Sequence, residues 1–265
     1  MRGIAADLAH ALREIVAPRL GAEDGRAHAR ESVGGDVTFA IDAEAEAFLE
    51  GWVAANAPGV AFYSEDRGMV GEGAWVLIVD PIDGTRPALA GLEAACTSVA
   101  LAPLGDGEPT MGDVVEGAVV EIKSGEWFAA ARGEGCRASK PIAPSENTDI
   151  ERLFWVYGFT RRPARAVVEV IGELIDRSSL GGGHIVNNSP YDLAAAALCL
   201  EEGGAVITDA SGGPLAPYRL LGSGPEYHIS CVAAGSSGLH QMLLDAVERG
   251  MERLRSLDIV APPQP

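Results

Sequence analysis

The residues best placed to do chemistry lie in Trp75-Val76-Leu77-Ile78-Val79-Asp80-Pro81-Ile82-Asp83-Gly84-Thr85. An apolar run delivers Asp80 at its end, Pro81 fixes the backbone direction, and Asp83 follows at once. Two carboxylates therefore leave one tight turn toward the same space, where they repel unless a proton or a cation sits between them. Oxygen-only ligation of that kind suits hard divalent ions, magnesium above all. Gly84-Thr85 then opens a helix whose free N–H groups face an anion. A cation pair beside such a helix end is the equipment of phosphoryl transfer. Three further acidic sites are ordinary by themselves: Glu65 and Asp66 in an acidic loop after a strand-like run, Asp42 at a helix start just beyond Asp36-Val37-Thr38, and Asp192 opening the helix of Tyr191-Asp192-Leu193-Ala194-Ala195-Ala196. Their order along the chain carries more than any one of them.

The elements that must position these groups belong to a globular chain of 265 residues, 47% hydrophobic and 22% charged. With 38 acidic against 20 basic residues and a net charge of -18, the surface repels nucleic-acid backbones and anionic lipid. An anionic small substrate stays compatible, because bound cations reverse the local field. No run approaches the roughly 20 apolar residues of a membrane helix, and the N-terminal stretch carries Asp7 within its apolar residues and lacks a signal-peptide core. Cys96, Cys136, Cys199 and Cys231 are widely spaced without a CxxC pair, so neither a zinc site nor a disulfide framework is expected. Cytoplasmic localisation is the corresponding expectation.

Apolar spacing predicts a helix over residues 3 to 20, a polar loop from Gly21 to Gly35, and a second helix from Asp42 to about Asn56. Short apolar runs at Val60–Tyr63, Trp75–Val79, Thr97–Leu101, Gly117–Ile122 and Trp127–Ala131, bounded by turn residues, read as a sheet. Beyond about residue 140 strands and helices alternate: a strand at Leu153–Tyr157, a helix at Pro163–Arg177, a helix at Asp192–Glu202, strands at Ala205–Thr208 and Tyr227–Ala233, and a helix capped by Ser236 or Ser237. The expected organisation is a sheet-rich, metal-binding half over 1–140 and an alternating α/β half over 141–265.

These blocks resemble the magnesium-dependent, lithium-sensitive inositol monophosphatase superfamily. Trp75 to Thr85 is similar to its WxxDPxDGT signature; Tyr191-Asp192-Leu193-Ala194-Ala195 followed by Glu201-Glu202-Gly203-Gly204-Ala205-Val206-Ile207-Thr208-Asp209 and Ser211-Gly212 resembles its WDxAA…EAGGxxTDxxG block. The stretches Gly125–Ala130 and His228–Ala234 resemble the intervening strand and the last strand, so the likeness spans almost the whole chain. It implies a layered α/β fold, the αβαβα sandwich of the sugar and inositol phosphatases. It further implies a first magnesium on Glu65, Asp80 and the carbonyl of Ile82, a second on Asp80, Asp83 and Asp192, and a third, weaker one through Glu65. Thr85 would orient the attacking water with Asp42 accepting its hydroxyl, while the N–H groups of Gly84 and Thr85, beside Asp83 and Asp192, would hold the phosphate. The implied activity is hydrolysis of a phosphate monoester of a small polyol or sugar, and a homodimer is among the assemblies the family allows.

The sequence departs from that pattern in three places. Arg86-Pro87 stands where the family usually has Asn-Phe, the customary lysine before the Asp-x-Val-Thr region corresponds to the vicinity of Glu31, and Leu180 to Pro190 runs almost directly into the second signature, as if a helix-strand unit were missing and the C-terminal half shortened. His184, Asn187, Asn188 and Ser189 are candidates to line a rebuilt pocket, though a glycine-rich stretch favours a loop, and Arg161 and Arg162 are candidates to grip a second phosphate. The shortening motivates a rival expectation: a family member that has lost catalysis and serves as a binding or scaffold subunit.

Overall fold

Helix α1, Ile4–Val16, repeats its apolar residues at helical spacing, and Ala5, Leu8, Ala9, Leu12 and Val16 are all buried. Ala5, Leu8, Ala9 and Leu12 pack with Leu49 and Val53 of helix α2, Ala40–Asn56, onto one face of a mixed seven-stranded sheet. The computed structural model describes residues 3–31, 37–105, 107–146 and 182–256. Its strands are β1 His28–Glu31, β2 Val37–Phe39, β3 Val60–Ser64, β4 Gly68–Val70, β5 Trp75–Asp83, β6 Cys96–Pro103, β7 Glu116–Glu121, β8 Trp127–Ala131, β9 Gly135–Ala138, β10 Gly182–Asn188, β11 Val206–Asp209 and β12 Ile229–Ala234. The remaining helices are α3 Thr85–Leu89, α4 Pro190–Glu202 and α5 Ser237–Ser256.

The large sheet runs in the order β4-β3-β5-β6-β7-β8-β9, with β3 and β5 parallel and the other pairs antiparallel. Because side chains alternate across a strand, β6 addresses both faces. Thr97 donates its hydroxyl to the Ala9 carbonyl of α1 at 3.0 Å, and its neighbour Ser98 donates to the Tyr191 carbonyl of α4 at 3.1 Å. Helix α4 thus covers the face opposite α1 and α2. It lies close: a Cβ on Gly117 of β7 would stand 2.9 Å from the Ala195 carbonyl oxygen.

The chain divides into two units, the first comprising residues 1–143, 188–203 and 215–229, the second 144–187, 204–214 and 230–265. The first therefore takes α4 from the C-terminal half, beyond a sequential division at residue 140. The second contains the three-stranded sheet β10-β12-β11 and α5, whose Leu239, Leu243, Ala246 and Val247 pack on Val232 and Ala234 of β12.

Several elements differ from the sequence reading. The loop expected from Gly21 to Gly35 contains a 3-10 turn at Asp24–Arg26 and strand β1, which pairs antiparallel with β2. Pairing, not apolar alternation, makes that strand, and Arg26 anchors the turn by donating to the Leu89 carbonyl at 3.0 Å. The glycine-rich stretch before Pro190 is likewise a strand, β10, because β12 supplies a neighbour to bond it. The short strands β4 and β9 had no separate apolar signal, and Pro225–Tyr227 is a 3-10 turn preceding β12. Asp36, the expected elements at Leu153–Tyr157 and Pro163–Arg177, and Arg161 and Arg162 lie outside the described residues, as do the side chains of His184 and Asn187.

Candidate active site

The first unit gathers Asp42, Glu65, Asp80, Ile82, Asp83, Gly84, Thr85 and Asp192, and strand β5 is its spine. Alternation alone would send Asp80 and Asp83, three residues apart, to opposite faces. The β5–β6 register shifts between them: Asp80 stands opposite Ser98 and Asp83 opposite Cys96, so three steps on β5 match two on β6. That extra residue is a β-bulge, and it turns both carboxylates to the α4 face that Ser98 also addresses. Pro81, with no N–H to give the ladder, is suited to the bulge. Asp80 Oδ1 accepts the Ile82 N–H at 2.9 Å, folding the carboxylate over the same turn.

Gly84 then reverses the chain with φ of +88°, and a Cβ there would lie 2.6 Å from the Ala94 carbonyl oxygen. Only glycine meets both demands. Thr85 opens the short helix α3 and donates its hydroxyl to Asp42 Oδ1 at 2.9 Å, with the Ile82 carbonyl at 3.1 Å. Asp42 is not the first cap of α2 but its third helical residue; its Oδ2 accepts the Phe39 N–H at 2.8 Å. Asp192 occupies the same place in α4, accepting the Ser189 N–H at 3.2 Å. The Tyr191 ring beside it stacks on Tyr63 of β3 with 6.3 Å between centroids, and Tyr63 hydrogen-bonds Ser223 at 2.8 Å. Arg86 is exposed next to Thr85.

Electrostatics shows which of these groups face one another. Burial, followed by Asp192, Glu65 and Asp83, holds the Asp80 carboxyl well above the usual carboxylate range. Burial, Asp83 and Glu65 raise Asp192 likewise, against a hydrogen bond from Asp80 that favours its charge. Burial also raises Asp83, opposed by the Cys96 thiol, which donates to Asp83 Oδ2 at 3.7 Å. Glu65, Asp80, Asp83 and Asp192 thus form one cluster of negative charge, felt most by Asp80 and Asp192. Among the described residues, however, no group of three or more His, Cys, Asp or Glu side chains is already arranged to hold a metal ion. The chemistry of the donor set still fits a hard dication: the groups are carboxylates, Asp80 is buried and the other three are half-buried, and Asp80 and Asp192 suffer from their neighbours' charge. Magnesium keeps several waters and needs only one or two carboxylates plus substrate oxygens, so a closed protein cage is not required.

Sequence reasoning missed the supports around Glu65. Ser64 donates to Glu46 Oε2 at 2.9 Å, and Thr38 donates to Asp66 Oδ1 at 2.6 Å. Glu46 is only 2% exposed, and burial pushes its carboxyl up to about 7. The residues on either side of Glu65 are thereby tied to α2 and β2. Glu46 follows Asp42 by four residues, one helical turn, and that spacing was the available signal. Cys96, an apolar-looking strand residue, gave no signal.

Among known proteins, the chain is 26% identical over 273 residues to a fructose-1,6-bisphosphatase/inositol-1-monophosphatase of Methanothermobacter thermautotrophicus, covering 93% of this chain and 96% of the relative. It is 31% identical to a Streptomyces griseus protein named glucose-1-phosphate thymidylyltransferase (88% and 94% covered) and 24% identical to the Nus factor SuhB of Escherichia coli K12 (81% and 86% covered). The solved inositol monophosphatase from Anabaena (Nostoc) sp. PCC 7120 shares the fold with a TM-score of 0.69 at 20% identity, covering 93% of this chain and 94% of that one. The pattern that defines the inositol monophosphatase family matches residues 1–181, more than half of the sequence, and the chain belongs to that family.

Proposed function

We propose that this member of a family of phosphoric monoester hydrolases cleaves the phosphate monoester of a small polyol or sugar, with magnesium as its cofactor and water as the nucleophile. The observation that carries the reading is the meeting of four carboxylates beside the Thr85–Asp42 hydrogen bond and the α3 N-terminus. Glu65, Asp80 and the Ile82 carbonyl would hold one ion; Asp80, Asp83 and Asp192 would hold a second. Magnesium, when bound, supplies positive charge to the phosphoryl oxygens and the departing alkoxide and makes water more acidic.

The chain's own residues do the rest. Asp42, fixed by the Phe39 N–H, accepts the Thr85 proton and so leaves the Thr85 oxygen lone pairs available to accept from the attacking water. The N–H groups of Gly84 and Thr85 receive phosphate oxygens. No serine or cysteine nucleophile is needed.

A second reading, a member that has lost catalysis and acts as a binding subunit, is favoured by the similarity to a protein named Nus factor. Against it stands the retention of a costly cluster of like charges that a scaffold has no use for. Phosphate release, measured with magnesium on inositol 1-phosphate, fructose 1,6-bisphosphate, glucose 1-phosphate, histidinol phosphate and a phosphoadenosine, separates the two. Turnover of one ester that stops with chelator is the expected result. Calorimetric magnesium binding without turnover of any ester overturns the catalytic reading.

A further inference from the structure

Outside the acidic cluster, two thiols meet within the first unit. Cys136 lies on β9, half-buried and opposite Ala130 of β8; Cys199 lies on α4 and is buried. The Cys199 thiol donates to the Gly117 carbonyl at 3.7 Å and the Cys136 thiol to the Arg137 carbonyl at 3.6 Å, and the two sulfurs lie near enough to shift each other's ionisation. Their approach is enforced from outside the pair: the Glu202 carboxylate, at the end of α4, accepts the N–H groups of Gly133 and Gly135 at 2.8 Å each, clamping the β8–β9 turn to the helix. Gly203 completes the contact, since a Cβ placed there would lie 3.7 Å from the Cys136 Cβ. We propose that Cys136 and Cys199 form an oxidisable dithiol, a modification site that a peroxide closes into a disulfide joining β9 to α4.

The two sulfurs differ in the way such a reaction needs. The neighbouring Cys199 thiol brings Cys136 down to about 7, against burial and the charge of Glu202, while Cys199 is held far up as a thiol by its closeness to Cys136 and by burial. Cys136 thus carries thiolate near neutral pH and is the accessible one, which makes it the attacking sulfur. Its thiolate displaces hydroxide from the peroxide O–O bond, giving the sulfenic acid, and the hydroxide becomes water by taking up the proton that Cys136 had released to solvent. The Cys199 sulfur then attacks the sulfenic sulfur; hydroxide leaves and takes the Cys199 proton as a second water. The two sulfurs lose two electrons and the peroxide gains them. Cys96 and Cys231 have no such partner: burial raises both, and the neighbouring Asp83 and Asp80 raise Cys96 further.

The test uses the full reduced chain, hydrogen peroxide, alkylation of remaining thiols and non-reducing tryptic mass spectrometry. The four cysteines fall on separate peptides, 68–123, 133–137, 178–219 and 220–249. The expected product is a 133–137/178–219 conjugate, two hydrogens lighter than the sum and reversed by dithiothreitol. Cys136 should be consumed at least about tenfold faster than Cys96. Cys199→Ser should halt the reaction at a Cys136 sulfenic acid that dimedone traps, and Cys136→Ser should leave Cys199 alkylatable. A different conjugate, a sulfinic Cys136 as sole product from the parent chain, or equal consumption of Cys96 and Cys136 overturns the proposal.

Discussion

Two helices of the first unit begin in the same way and serve the site differently. In α2 and α4 the third helical residue is an aspartate whose Oδ2 accepts the N–H of the capping residue, Phe39 at 2.8 Å and Ser189 at 3.2 Å. Local sequence makes the two carboxylates equivalent helix caps. Their second oxygens meet different surroundings: Asp42 accepts a hydrogen bond from the Thr85 hydroxyl, while Asp192 faces Asp83, Glu65 and Asp80. The cap fixes where each carboxylate stands, and the bulge in β5 decides what it stands against. On the proposed reading the first orients a neutral group and the second shares a cation.

The most forceful way to break the comparison is Asp192→Asn. The amide oxygen can still accept the Ser189 N–H, so α4 keeps its cap, but one negative charge leaves the cluster. Turnover should fall by about a thousandfold, while the chelator-treated protein should gain about 1 kcal/mol from relieved repulsion. Magnesium should then raise the melting temperature of the parent and barely move that of the variant. Denaturation with and without chelator, beside the phosphate assay, checks both. An unchanged magnesium response would show that Asp192 is a cap and nothing more.

One turn beyond Asp42, Glu46 sharpens the contrast, because its carboxyl is raised chiefly by burial, with Asp66 a smaller contributor. Its ordinary value of 4.5 rises to about 7 in the native protein, so the folded state holds a proton that the unfolded chain gives up earlier. The associated stability is complete below about 4.5 and lost as pH rises through about 7, at most about 3 kcal/mol. Glu46→Gln carries no such titration. Urea unfolding at pH 5 and pH 8, in chelator, should show the parent losing stability relative to the variant. Parallel behaviour of the two proteins would place Glu46 in water.

The acidic cluster was legible because its parts lie at element ends: an apolar run that stops at Asp80, a proline, a glycine, and an alanine-rich helix behind Asp192. What escaped the sequence depends on pairing between distant segments. The bulge between Asp80 and Asp83 exists only against β6, and β1 and β10 are strands because β2 and β12 lie beside them, not because their residues alternate. Glu46 and Cys96 acquire meaning only once Ser64 and Asp83 are brought to them. Short-range patterns specify which face a residue takes within its own element; they carry nothing about a neighbour 18 or 13 residues away.

The smallest expected effect, Asp42→Asn, isolates the orienting half of the comparison. Two donors, the Phe39 N–H and the Thr85 hydroxyl, now share one carboxylate. An asparagine offers a single oxygen, and the main-chain N–H, fixed in direction, will keep it. The Thr85 hydroxyl has an alternative in the Ile82 carbonyl at 3.1 Å and should turn fully toward it. Stability should then stay within about 0.5 kcal/mol, since the cap survives. Turnover should fall about tenfold through kcat with KM nearly constant, because the misdirected group orients the nucleophile without binding the ester. A loss confined to KM would move Asp42 to the substrate side of the site. An unaffected kcat would leave the Thr85–Asp42 bond a structural tie between α2 and α3.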